Sequence, residues 1–207
     1  MRDEVAVRSE PPRAAQPAHE YDSRRRQCRL FSAKMQPPEN ALALLEPNIR
    51  SADAPPCPYE PLVGSWAIAA RWYPDGDGPR ETKGEWHFSW ILGGWGIQDV
   101  LFAAGAGTER RGTSIRCYDT VAAAWRVVWM MPASREFAAL IARQDGVRIV
   151  QEGAALDLSS HQRWTFSDIT ENGFLWQGES SSDGSTWKLE GEMRGTRESP
   201  TLYGSVP

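Results

Sequence analysis

Polar and aromatic side chains alternate through the segment Gly84-Glu85-Trp86-His87-Phe88-Ser89-Trp90. Successive side chains of a β-strand point to opposite faces, so one face of this segment carries Trp86, Phe88 and Trp90. The opposite face is polar. A strand with one aromatic face and one polar face is typical of a sheet that covers an apolar interior and meets water on its outer side.

The same pattern recurs along the chain between regularly spaced turn signals. All ten tryptophans lie from Trp66 to Trp187, and neither tryptophan nor glycine occurs before Val63. Asp-Gly, Gly-Gly and Asn-Gly pairs separate strand-like segments, and Asp145-Gly146 has the sequence of a two-residue type I′ hairpin turn. We predict ten strands, at 65–73, 80–91, 95–103, 111–118, 124–131, 135–143, 147–152, 160–168, 173–181 and 185–193.

The links between these strands are too short for the crossovers that parallel strands need, so the sheet must be antiparallel. An up-and-down barrel leaves no free edges, and we predict an all-β fold with a single barrel of about ten strands over residues 59–197. Residues 1–58 read as a mostly disordered, Pro- and Arg-rich extension with one short helix near 38–46, and residues 51–61 as a linker. Residues 198–207 form a C-terminal tail.

Charge and cysteine content exclude several classes of partner. The chain has a net charge of −4, and residues 59–207 carry 19 acidic and 14 basic side chains, so nucleic acid is not an expected partner. No apolar stretch is long enough for a membrane-spanning helix, and we expect no membrane partner. Cys28, Cys57 and Cys117 form neither a disulfide framework nor a zinc motif, which favours the cytoplasm. The choice between monomer and homodimer stays open.

Several motifs in order along the chain resemble those of calycins, the lipocalin superfamily. The first strand contains Gly64-Ser65-Trp66, similar to the G-x-W signature, in which the tryptophan closes one barrel end. Further runs are Gly84–Phe88, Gln98-Asp99-Val100, Gly112–Asp119, Trp125–Trp129, Arg163–Phe166 and Ser180–Trp187. Together they resemble a bacterial lipocalin-like family of uncharacterised function over about residues 60–197. The resemblance implies the barrel fold and no particular reaction.

A more distant likeness is to the nitrobindins, which are haem-binding barrels of ten strands. Their glycine-rich run after the first tryptophan is absent, because Ala67-Ile68-Ala69-Ala70 follows Trp66. Haem binding in that family needs a histidine on a late strand, and the surroundings of His161 do not match. We therefore expect no cofactor. No histidine pair has metal-ligand spacing, so we also expect no metal site.

Alternation assigns a set of aromatic side chains to the barrel interior, where they either line a ligand cavity or fill the space themselves. Asp99 shares a face with Ile97 and Leu101, and burial would penalise its carboxylate unless a cation such as Arg116 on the adjoining strand compensates. Asp99 and Arg116 are the best catalytic candidates. The predicted ligand-binding residues are Trp86, Phe88, Trp90, Asp99, Arg116, Trp129, Trp164, Phe166, Trp176 and Trp187.

Three classes of function fit these observations. The leading interpretation is a barrel that binds an apolar or aromatic small molecule. The second is a lipocalin-like enzyme, of cyclase, isomerase or hydratase type, that uses a buried carboxylate; this rests on fold analogy. The third is a filled barrel with a structural or interaction role.

Overall fold

The computed structural model describes residues 50–105 and 108–198 of the chain. The helix predicted near 38–46 and nearly all of the predicted tail 198–207 lie outside the described residues. Within them, ten antiparallel strands and two single turns of 3-10 helix, Glu60–Leu62 and Leu92–Gly94, account for the regular structure. The strands are β1 Gly64–Trp72, β2 Arg80–Ile91, β3 Gly96–Gly105, β4 Thr108–Asp119, β5 Ala124–Met131, β6 Glu136–Asp145, β7 Arg148–Ala155, β8 His161–Ser167, β9 Gly173–Ser181 and β10 Lys188–Arg197.

Each strand pairs with its neighbours in sequence, and β1 also pairs with β10, so the sheet closes on itself. The predicted up-and-down barrel of ten strands is confirmed. Burial alternates along the strands as predicted. In β2, for example, Trp86, Phe88 and Trp90 are buried, whereas His87 and Ser89 between them are partly exposed.

The hairpin between β6 and β7 turns one residue later than predicted. Asp145 pairs with Arg148, which leaves Gly146 and Val147 as the two turn residues. Gly146 has a φ of 61°, and Val147 is not among the residues with positive φ. A type II′ turn needs positive φ only at its first central position, so the glycine selects that turn instead of type I′.

A bulge interrupts the pairing of β10 with β9. Leu189 pairs with Glu179 and Gly191 with Gly178, so Glu190 is the additional residue. An inserted residue reverses the faces of the side chains on its two sides. The prediction that Trp187 lines the barrel interior is therefore wrong. Met193, after the bulge, is buried inside, whereas Trp187, before it, stacks on Arg163 on the outer wall, 3.9 Å from the guanidinium carbon to the ring centroid.

Part of the segment predicted as a linker packs against one end of the barrel. Cys57 is 8% exposed, and Tyr59 and Leu62 are fully buried among the barrel side chains. Backbone bonds tie this segment down, with Ser51 N–H donating to the Gly93 carbonyl at 2.8 Å. This segment therefore covers the barrel end, where Tyr59 enters the core.

Trp66 closes the same end of the barrel. Its indole N–H donates to the Leu62 carbonyl at 2.7 Å, and the Arg197 guanidinium lies 4.0 Å above its ring. Gly64 has a φ of 126°, and a Cβ there would lie 2.7 Å from Arg197 Nη1. Glycine is therefore required two residues before the tryptophan, which accounts physically for the G-x-W pattern.

Candidate functional site

The barrel interior divides into two halves with different packing. The closed half, at the end covered by Tyr59, is filled with aromatic rings that touch one another. Phe166 alone contacts four other rings at centroid distances of 5.4 to 6.2 Å. The rings that pack around it are those of Tyr59, Trp86, Phe88 and Phe174. This half is a conventional core.

The open half contains a cavity of about 1190 Å³. Its walls are mostly apolar, and its rim reaches exposed residues of the β1–β2, β5–β6 and β7–β8 connections and their flanking strands. Ligand pockets typically measure roughly 300–1,000 Å³, so the space suits a sizeable organic molecule. The side chains that form the apolar walls are those of Trp72, Trp86, Leu101, Trp129, Met131, Trp164, Trp176 and Met193.

Glycines on the inner face explain why the cavity stays open although tryptophans surround it. A Cβ on Gly112 would lie 2.1 Å from Trp129 Cη2, and a Cβ on Gly178 would lie 2.4 Å from Trp176 Cη2. A Cβ on Gly191 would lie 2.3 Å from Trp72 Cε3. Each indole thus lies against the wall in the space that a side chain would otherwise fill, instead of extending across the barrel.

A buried polar cluster lies at the floor of the cavity, between the two halves. Arg116 Nη1 donates to Asp99 Oδ2, and Arg116 Nη2 donates to Ser114 Oγ at 3.3 Å. The second oxygen of Asp99 accepts the Ser114 backbone N–H at 3.0 Å. Asp99 and Arg116 are each 1% exposed, so the pair is desolvated and each charge depends on the other.

The cluster continues from Arg116 to the closed end through Gln151. Gln151 Oε1 accepts the Tyr59 hydroxyl at 3.1 Å and Arg116 Nε at 3.5 Å, and the guanidinium lies 4.9 Å from the Tyr59 ring centroid. Burial alone would lower the pKa of Arg116, but the Asp99 carboxylate raises it above its ordinary value, so the guanidinium stays charged. Burial raises the pKa of Tyr59, which stays protonated and donates.

Two buried nitrogens in this region have no hydrogen-bond partner, Trp86 Nε1 and Gln151 Nε2. Trp86 is 3% exposed and lines the cavity floor, whereas Gln151 is fully buried and does not line the cavity. Two other tryptophans of the cavity wall use the same atom within the protein: Trp72 donates to Thr82 Oγ1 at 3.1 Å, and Trp164 donates to Gln162 Oε1 at 3.3 Å. Among the described tryptophans that line the cavity, Trp86 is the one whose indole nitrogen is both buried and without a hydrogen-bond partner.

The structure brings half of the predicted site residues together. Trp86, Arg116, Trp129, Trp164 and Trp176 line the cavity. The other predicted residues do not: Phe88, Trp90, Asp99 and Phe166 lie buried outside the lining, and Trp187 lies on the outer wall. The functional role of each residue stays a prediction.

Sequence reasoning missed several residues of this region. Trp72 and Gln151 each continue the alternation of their strands, with Ala70 and with Ile149, so the pattern contained the signal for both. Tyr59 lies outside every strand, and no periodicity pointed to it. The inner-face glycines, Gly112, Gly178 and Gly191, looked like ordinary strand residues.

Among residues 50–105 and 108–198, no group of three His, Cys, Asp or Glu side chains is arranged to hold a metal ion. His87 is half-buried and bonds Ser65 Oγ at 2.9 Å, and His161 is exposed at the start of β8. Neither histidine lines the cavity. In the part of the chain that the structure describes, no helix is long and apolar enough to cross a membrane.

No family profile matches the sequence, and no curated protein matches it. Among solved structures, the chain is similar to Rv2717c from M. tuberculosis, with a TM-score of 0.51 and 16% identity over 71% of this chain and 100% of that one. It is also similar to the S-type phycobiliprotein lyase CPES from Guillardia theta, with a TM-score of 0.49 and 8% identity over 68% of this chain and 90% of that one. The first likeness supports the barrel fold alone, and the second adds nothing to it. The nitrobindin likeness stays a prediction.

Proposed function

We propose that this chain binds an apolar or aromatic small molecule in the cavity of the open half. The observation that carries the proposal is a cavity of about 1190 Å³ whose walls include five tryptophans. Apolar surface removed from water contributes roughly 25 cal/mol per Å². Indoles already held against the wall lose little side-chain entropy when a ligand covers them, so most of that gain is retained.

The enzyme alternative has less support from the geometry. Asp99 does not line the cavity, and its two oxygens already accept bonds from Arg116 and the Ser114 backbone. A general acid or base must reach the proton that it transfers within hydrogen-bond distance. A role of Asp99 in holding Arg116 at the cavity floor fits these contacts better than a role in proton transfer.

The proposal places the protein in the cytoplasm and includes no cofactor. Cys57 and Cys117 are both free thiols, which suits a reducing compartment. The two described histidines, His87 and His161, are absent from the cavity lining, which supports a ligand that is not bound through a histidine–iron bond.

A titration with the neutral fluorescent naphthyl ketone prodan tests this function. We expect its emission to shift to the blue and to saturate at one probe per chain. Trp176→Ala removes a cavity wall, and we expect it to weaken prodan binding at least about tenfold, since burying a large aromatic side chain contributes about 1.5–3 kcal/mol. Trp187→Ala is the matched control on the outer wall and leaves the affinity unchanged.

Two results would contradict the proposal. Absence of saturable binding to the folded wild-type protein would leave the cavity without a ligand-binding role. Equal weakening by Trp176→Ala and Trp187→Ala would place the probe on the outer surface.

A further inference from the structure

The unpartnered indole nitrogen of Trp86 bears on the chemistry of the ligand, and the inference from it rests on the proposed function. A buried N–H without an acceptor is less favourable than one that is satisfied, because it has lost its hydrogen bond to water and gained none in the protein. The Trp86 side chain is 3% exposed, so bulk water does not solvate it, and no protein oxygen accepts from Nε1. An acceptor supplied from the cavity would remove that cost.

Trp86 lies at the inner end of the cavity, as one of its lining residues. Its ring lies 5.0 Å from the ring of Phe88 and 5.4 Å from that of Phe166, both in the packed core. The core ring of Phe174 lies 5.9 Å away. On the cavity side, Leu101 pairs with Trp86 on β3 and the Trp176 ring lies 6.2 Å away. Trp86 is therefore the boundary between the core and the cavity, and a group that reaches it has entered to full depth.

The charges near the floor favour a neutral acceptor over an anion. Arg116 is the only cation among the floor residues, and Asp99 already compensates its charge in a fully buried ion pair. A carboxylate placed beside Arg116 would also face Asp99, with no bulk water to screen the repulsion. The lining as a whole holds four carboxylates against three guanidinium groups: Glu81, Glu136, Asp157 and Glu190 against Arg80, Arg116 and Arg135.

We propose that Trp86 Nε1 is the specificity-determining donor of the site, and that it binds a carbonyl-type acceptor at the inner end of a neutral, largely apolar ligand. Trp72, Trp129, Trp164 and Trp176 contact the apolar body of the ligand. The acceptor replaces the missing partner of the indole, and a ligand of the same shape without an acceptor leaves the donor unsatisfied.

A matched pair of probes tests this inference by calorimetry, with the protein titrated into the probe. Methyl β-naphthyl ketone carries a carbonyl where β-isopropenylnaphthalene carries a methylene group of the same shape. We expect Trp86→Phe to reduce the preference for the ketone over the hydrocarbon about tenfold. Taking the ratio of the two affinities cancels the area that the substitution removes. Trp164→Phe, whose donor is already paired with Gln162, leaves the ratio unchanged and is the control.

A measurement on the wild-type protein covers the case in which Trp86→Phe does not fold. The carbonyl stretch of the bound ketone should lie at a lower wavenumber than in hydrocarbon solvent, because a hydrogen bond weakens the C=O bond. An unshifted stretch overturns the inference. The carboxylate analogue β-naphthoate should bind more weakly than the ketone, and tighter binding would overturn the neutral-ligand part.

The outcomes separate this inference from the proposed function. If both naphthyl probes bind and Trp86→Phe leaves their affinity ratio unchanged, the cavity binds ligands and the role of Trp86 is wrong. If neither probe binds to the folded wild-type protein, the proposed function and the inference both fail.

Discussion

Inward-facing aromatic residues occur in both halves of the barrel, but they fill the closed half and surround a cavity in the open half. In the closed half, Trp66 and Phe174 contact each other at a centroid distance of 4.8 Å and fill the interior. In the open half, Trp129 and Trp164 also contact each other, at 6.0 Å, yet a cavity remains between the walls. An inward-facing aromatic residue therefore predicts burial, but it does not predict whether the space beside it is filled.

Two features outside the alternation account for the difference. The closed half receives additional side chains from residues 50–62, above all Tyr59 and Leu62, which complete its packing. In the open half, Gly112, Gly178 and Gly191 let three indoles lie against the wall. Protein interiors are usually closely packed, so the open half is the exception, and its inner-face glycines are the feature that sets it apart.

The largest effect expected from this comparison is on stability in the closed half. Trp66→Ala should lower the free energy of unfolding by about 3–5 kcal/mol, since it removes a large buried ring and leaves a void that the surrounding residues cannot fill. Trp129→Ala in the open half enlarges an existing cavity, and we expect it to cost roughly half as much. Urea unfolding of both variants measures the two changes.

The order of these two costs is the decisive result. A Trp129→Ala variant that loses as much stability as Trp66→Ala would mean that the open half is packed like the closed half in solution. Prodan titration of Trp129→Ala is the accompanying measurement, because a wall of the cavity should contribute to affinity more than to stability.

The fold was predictable from the sequence because alternation and turn residues act locally. Ten strands, their order and the inner face of β2 all follow from period-two patterns and glycine-containing turns. The face of Trp187 was predicted wrongly because the bulge at Glu190 inserts one residue, and nothing in the local pattern marks it. The type of the β6–β7 turn was also wrong, although its location was correct to one residue.

The candidate site was predictable only in part, because cavities depend on distant residues. Alternation identified Asp99 and Arg116 as a pair on adjoining strands, and the structure joins them. It could not show that Tyr59, from a proline-rich segment, closes one end and bonds Gln151 there, 92 residues away along the chain. It also could not separate core aromatics such as Phe166 from cavity aromatics such as Trp164, since both face inward on β8.

An intermediate effect is expected from adding one methyl group to a glycine in each half. A Cβ on Gly195 would lie 2.3 Å from Phe174 Cε1, and the Phe174 ring is held among Trp66, Trp86 and Phe166, so it has no space to move into. We expect Gly195→Ala to cost about 1–3 kcal/mol of unfolding free energy, as overpacking does.

Gly178→Ala makes the same change in the open half, where the Trp176 ring has the cavity beside it. We expect a smaller loss of stability and a clear loss of prodan affinity, because the displaced ring occupies ligand space. If Gly178→Ala leaves the affinity unchanged while lowering stability as much as Gly195→Ala, the glycine explanation of the open half is wrong.

The smallest effect concerns Cys57, in the segment that covers the closed half. Burial raises the pKa of its thiol from 9.0 to about 12. The folded state therefore keeps the proton when the unfolded state begins to lose it, so this stabilisation is complete below pH 9 and falls as the pH rises towards 12. Between pH 8 and pH 10 the wild-type protein should lose about 1.4 kcal/mol more unfolding free energy than Cys57→Ala does.

Urea unfolding at both pH values gives this difference, and comparing the two proteins cancels the titration of every other group. Cys117→Ala is the matched control, because Cys117 lies half-buried on β4 and does not belong to the core of the closed half. Its removal should change the pH dependence less than the removal of Cys57. Identical pH dependence of wild-type and Cys57→Ala would show that water reaches the thiol. Residues 50–62 would then not seal the barrel end, which contradicts a closed half that is packed throughout.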